Sequence, residues 1–145
     1  MKAISLWQPY ATCVVNGIKI IETRSWSTAY RGPLIIHASS TRKMMYLLGD
    51  ASWRRFLEEA ELAAERHFPL GALVGVVELH DVGPVEEMRD AISDRERLLG
   101  DYSDGRQAWH FMLAQEFTPA VPWRGSQGLF NVDKRELEKA RWQLR

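Results

Sequence analysis

Apolar positions recur along the chain with two different periods, and the changes of period divide it into elements. Residues 2–6, with Ile4 at their centre and Trp7 just beyond, have the short, β-branched character of a strand. Pro9 suits the first turn of a helix over residues 9–16, whose buried face is Ala11, Val14 and Val15 and whose end is marked by Asn16-Gly17. Residues 20–24 alternate: Ile20, Glu22 and Arg24 point one way, Ile21 and Thr23 the other. The apolar run at 34–38, opened by Gly32-Pro33, predicts a strand buried on both faces. Helical spacing governs residues 41–67, broken at Gly49-Asp50, with Trp53, Phe56, Leu57, Ala60, Ala64 and His67 as the inward stripe. A strand follows over 72–82, with Gly75 marking a bulge or a close backbone approach, and Glu78 and His80 on one of its faces.

Gly83-Pro84 predicts a short helix carrying Val85, Met88 and Ile92, and the density of charge from Asp90 to Arg97 predicts an exposed, mobile connection. A long strand is expected over 107–118, with Trp109, Phe111 and Leu113 on one face and His110 and Met112 on the other. Pro119, Pro122 and the Trp123-Arg124-Gly125 turn force a loop before a last strand at 128–132. Asp133 then caps a terminal helix, with Glu136 three residues later and Leu137, Ala140 and Leu144 facing inward. Strands and short helices without regular alternation predict an α+β fold around a small mixed or antiparallel barrel, rather than a doubly wound parallel sheet.

Length and composition fit one domain over residues 1–145: 46% of the residues are apolar and 26% charged, the balance of a water-soluble protein with a single core. No apolar run approaches the roughly 18–20 residues of a membrane span, and Gln8-Pro9 interrupts any secretory apolar region. Cys13 is the only cysteine, packed in the first helix as a buried thiol with no internal disulfide to form. A cytoplasmic monomer is the expectation. The net charge of zero argues against wrapping long duplex DNA. Its distribution is uneven. Residues 1–55 hold eight Lys or Arg against two acids (+6), 56–104 hold four against thirteen (−9), and the rest seven against four (+3). If the ends meet, they form a positive face for a small or single-stranded anion, with the acidic middle turned elsewhere.

The densest chemistry is Gly17-x-Lys19-x-x-Glu22-x-Arg24. A desolvated Lys19 could transfer a proton, or stay charged and stabilise a developing oxyanion. Glu22 could activate water or hold the lysine. Equally, Glu22 and Arg24 could be a structural ion pair. Arg24 and Arg124 offer forked donors to a phosphate or carbonyl, and Gln8 a donor and an acceptor to a base edge. Trp7, Trp26, Trp109 and Trp123 lie near loops, where an indole either stacks on a splayed base or completes the core. His37 and Glu78 are further candidates to face a cavity. His37, His67, His80 and His110 lack metal-ligand spacing, so neither a metal nor a cofactor is expected.

That motif, with Ser5-Leu-Trp-Gln-Pro-Tyr-Ala11, Arg31-Gly-Pro-Leu-Ile-Ile-His-Ala38 and Pro122-Trp-Arg-Gly-Ser-Gln-Gly-Leu-Phe130, resembles the activating-signal-cointegrator homology (ASCH) domain family over nearly the whole chain. The resemblance implies a PUA-like small mixed β-barrel with flanking helices, a cleft floored by the Lys19–Arg24 segment, and association with RNA. It also implies hydrolase chemistry in some small members, either cleavage of single-stranded RNA or metal-independent deacetylation of N4-acetylcytidine. In the deacetylating branch a threonine occupies the position of Glu22, and a downstream glutamate completes the set. Here that acid is Glu78, Glu86 or Glu87. The expected partner is RNA or a modified nucleoside, with Lys19 and Glu22 as catalytic candidates; a non-catalytic interaction module is the remaining reading.

Overall fold

The computed structural model describes residues 1–144. Six strands, β1 (Lys2–Leu6), β2 (Ile21–Arg24), β3 (Gly32–Ala38), β4 (Ala72–Pro84), β5 (Gln107–Pro122) and β6 (Phe130–Asn131), form one sheet in the order β2-β5-β4-β3-β1-β6. β1 and β3 run parallel; the other neighbours are antiparallel. The mixed α+β architecture is as the sequence indicates, with the sheet left open between β2 and β6 among the described residues.

Both faces of β1 and β3 are covered. Helix α1 (Tyr10–Val15) lies on one side, packing Val14 and Val15 with Ile4, Leu6, Leu34, Ile36 and Trp109. On the other, Ala3, Ile35 and Val121 pack with Leu137 of α4 (Lys134–Gln143). Gly75 is where α1 rests on β4: a Cβ there would lie 2.6 Å from Val15 Cγ1 and 2.3 Å from the Gln115 carbonyl oxygen. The register also shifts beside it, so the glycine marks both a bulge and a close approach. Two caps behave as the residue types dictate. Asp50 Oδ1 accepts from the N–H groups of Ser52 and Trp53 at the start of α2 (Ala51–Glu59), and Asp133 Oδ1 accepts from Glu136 N–H at the start of α4.

Four segments depart from expectation. Residues 41–67 break at Gly49-Asp50 as expected, but the first piece is a short 3-10 turn at Met45–Gly49 and α2 stops at Glu59, well before His67. There Glu61 takes φ 60° and Leu62 N–H reaches back to the Leu57 carbonyl, a Schellman closure made without the usual glycine. The helix expected from Gly83 starts later and is not one helix: Gly83 and Pro84 still pair with Ala108 and Gln107 as the end of β4, and two short 3-10 turns follow at Val85–Glu87 and Arg89–Ala91. The charged stretch at 90–97 is not a free connection. Ser93 caps α3 (Asp94–Leu98), and Glu96 is buried with its Oε1 2.7 Å from Ile20 N–H. Finally, Leu113 turns outward at φ 53° while Trp109 and Phe111 stay in the core, and β5 continues past Pro119 to Pro122.

Candidate functional site

The C-terminal end of β1, strand β2 and the loop at 123–128 converge at one end of the sheet. Two adjoining cavities open there, of about 430 Å³ and about 860 Å³. Ser5, Trp7 and Arg24 line both. The smaller cavity continues over Tyr10, Glu22, Thr23, Asp101 and Arg106, the larger over Trp26, His37, Ser39 and the 123–128 loop.

Strand alternation puts Glu22 and Arg24 on the cavity side of β2. Arg24 donates to the Ser5 carbonyl at 2.7 Å and lies 3.8 Å from Glu22 Oε2. Its buried Nε has no hydrogen-bond partner among the described residues, so the guanidinium keeps donor capacity for a ligand. Trp7 is exposed and carries Lys43 Nζ 4.5 Å from its ring centroid. Trp26 is fixed by Trp109, which meets it edge-on at 4.8 Å and donates its indole N–H to the Trp26 carbonyl.

His37 ties the larger cavity together. Its Nε2 lies 2.8 Å from the Trp123 carbonyl, which can only accept, so that nitrogen carries the proton. Nδ1 is then free to accept from the Ser5 hydroxyl at 2.8 Å. Burial pushes the His37 pKa down, against the opposing effect of the Trp123 bond, and favours this neutral form. Gly125 packs flat on the pair; a Cβ there would sit 2.5 Å from His37 Cε1.

Lys19 does not reach the cavity surface. It is fully buried behind Glu22, with Nζ donating to the Ile21 carbonyl, 3.9 Å from Glu22 Oε1 and 5.8 Å from the Tyr10 ring centre. Beside it lies Glu96, whose Oε2 is unpartnered among the described residues, as is the Tyr102 hydroxyl. Burial pushes both pKa values up, with the nearby Lys19 charge opposing the rise at Glu96 and the Glu96 and Glu22 charges adding to it at Tyr102. Cys13 is likewise pushed up, to about 12 by burial, the state of a structural thiol.

Of the candidates named from sequence, Trp7, Glu22, Arg24, Trp26, His37 and Arg124 are brought together. Three are not. Gln8 is fully buried and its amide is spent inside: Oε1 accepts from Thr12 N–H, and Nε2 donates to Thr12 Oγ1 and the Pro69 carbonyl, which anchors the first turn of α1. Trp109 belongs to the core, lines neither cavity and touches the site through Trp26. Glu78 sits mid-strand opposite Pro33 and Met112 and lines neither cavity. Nor do Glu86 and Glu87; Glu86 accepts from Gly105 N–H instead. The downstream acid that approaches Lys19 is Glu96, from the segment assigned to solvent, while Asp101, just beyond that segment, lines the smaller cavity. Ser5 and Arg106 were also missed: Ser5 meets His37 only through the parallel register of β1 and β3, and Arg106 reaches Thr23 across 83 positions. Among the described residues no group of three or more His, Cys, Asp or Glu side chains could hold a metal ion, and no helix is long and apolar enough to cross a membrane.

The family model for the ASCH domain matches residues 4–120. Activating signal cointegrator 1 of mouse is 27% identical over 133 residues, and its human counterpart 26%; in each case the match covers 91% of this chain and 22% of the relative. The chain thus spans about a fifth of those proteins. The crystal structure of the ASCH protein of Zymomonas mobilis shares the fold at a TM-score of 0.55 and 19% identity, covering 95% of this chain and 91% of that one. A single-site mutant of the same protein gives 0.58 at 18% identity, covering 95% and 94%.

Proposed function

The chain belongs to the ASCH domain family, and from that premise we propose that it binds unpaired RNA, taking up individual nucleotides in the cleft around Trp7 and Arg24. The observation that carries this reading is the wall shared by the two cavities: an exposed indole beside a guanidinium with an unused donor. An aromatic face with a forked cation is what a splayed base and its backbone require, and each stacked base contributes about 1–3 kcal/mol. A closed duplex offers neither an unstacked base nor a matching surface on a chain of zero net charge.

Lys19 serves this site from behind. With its ammonium bonded to Ile21 and facing Glu22, it holds that carboxylate at the cavity wall. A hydrolytic role belongs to the same geometry as a second reading, because Glu22 lies between two cations where it could take a proton from water. Incubating the protein with a single-stranded RNA and, separately, with N4-acetylcytidine, while following both binding and product, tests the proposal. We expect saturable binding of the RNA. Cleavage of the RNA would add nuclease function and deacetylation would add the amidohydrolase, in each case with Glu22→Gln reducing turnover; absence of RNA binding would refute the proposal.

A further inference from the structure

Resting on the nucleotide-binding reading above, we infer that the two cavities divide the ligand between them, the larger taking a phosphate and the smaller the base. The ligand class is therefore a phosphorylated nucleoside or a strand, rather than a free nucleoside. The charges are partitioned to that effect. The larger cavity is lined by Arg24 and Arg124, by the hydroxyls of Ser39, Ser40 and Ser126, and by no carboxylate. The smaller sets Glu22 and Asp101 beside Arg24 and Arg106. A phosphate beside Glu22 and Asp101 would meet like charge, whereas an uncharged base has N–H donors for carboxylates and ring acceptors for guanidinium groups. Arg24 belongs to both cavities and marks the junction between base and backbone.

The larger cavity is also built rather than loose. The buried His37 ring spans from Ser5 to the Trp123 carbonyl, and Gly125 seals the turn against it. This fixes the backbone on both sides of Arg124, an exposed residue that lines the cavity, so ordering its side chain on a ligand costs less entropy than it would on a free loop. His37 is a positioning residue in this arrangement.

The test is a calorimetric comparison of the four nucleosides with their 3′,5′-bisphosphates on wild type, Arg124→Ala, Glu22→Gln and Arg31→Ala, with a single-stranded RNA titrated in parallel. Arg31 lines neither cavity and pairs with Asp81 on the surface, so its variant controls for loss of charge alone. Wild type should bind at least one bisphosphate about tenfold or more tighter than its nucleoside, the size of one charge-assisted contact. Arg124→Ala should close most of that gap; Arg31→Ala should preserve it, and Glu22→Gln should weaken both ligands together. Equal affinities in wild type, or a gap untouched by Arg124→Ala, would overturn the division. If single-stranded RNA binds while the gap is absent, this inference alone falls; if no RNA binds, the reading beneath it falls as well.

Discussion

Lys19 is a cation with no exposed surface, and its neighbours define its role. Removing it takes the Lys19 donor from the Ile21 carbonyl, leaves Glu22 with Arg24 as its one neighbouring cation among the described residues, and removes the charge that opposes the raised pKa of buried Glu96. Breaking one side of such a buried set costs about 3–5 kcal/mol, so Lys19→Ala should lower the urea midpoint sharply, and its loss of RNA binding should follow its loss of fold. Two other buried groups make stability pH-dependent with opposite signs. His37 is held below its ordinary value of 6.5, so its contribution is complete above that pH and is lost as pH falls through the depressed value. Glu96 is held above 4.5, so its contribution is complete below that pH and is lost as pH rises through the elevated value. Relative to wild type, Glu96→Gln should therefore gain stability between pH 5 and pH 8, whereas His37→Gln should lose it; urea melts at the two pH values give both signs. The Glu22–Arg24 pairing was legible from strand alternation alone. The burial of Lys19 was not, because it depends on the Glu96 carboxylate, 76 positions from the Ile20 N–H it bonds, closing over the mouth of β2.

Among the elements, the best-read were those whose signal is local. Asp133 caps the terminal helix as its position before Glu136 indicates, Gly49-Asp50 breaks the helical pattern where expected, and Gly75 announces the contact that seats α1 on β4. Gly75→Ala should cost at least about 1–3 kcal/mol by overpacking against Val15 and the Gln115 carbonyl, measurable as a fall in Tm. The end of α2 was illegible for a physical reason: the left-handed residue is Glu61, a type that gives no warning of such a conformation. Glu61→Gly should relieve it and stabilise the fold by up to about 1 kcal/mol; an unchanged or lower urea midpoint would show that the closure carries no strain. The strand-to-helix misreading at Gly83 has a different origin, since pairing with β5 overrides the local Gly-Pro signal.

At the level of the whole molecule, the two basic ends do meet, with β1 beside β6 and the Trp7 and Arg124 segments around one cavity. The acidic middle is not turned away: α3 and Asp101 fold back to wall the smaller cavity and bury Lys19. Composition showed the polarity of the segments but not this return, which rests on long-range contacts. What results is a cleft half cationic and half amphoteric, which on the function proposed above takes a nucleotide from a single strand in preference to a duplex. The most direct measurement is fluorescence anisotropy of one labelled single-stranded RNA titrated with wild type and with Trp7→Ala, whose exposed indole can be removed without opening the core. The account predicts a weakening of roughly 5- to 150-fold, the loss of one stacked base, with Tm unchanged. Equal affinity for the two proteins, or a wild type that prefers the matching duplex, would contradict it.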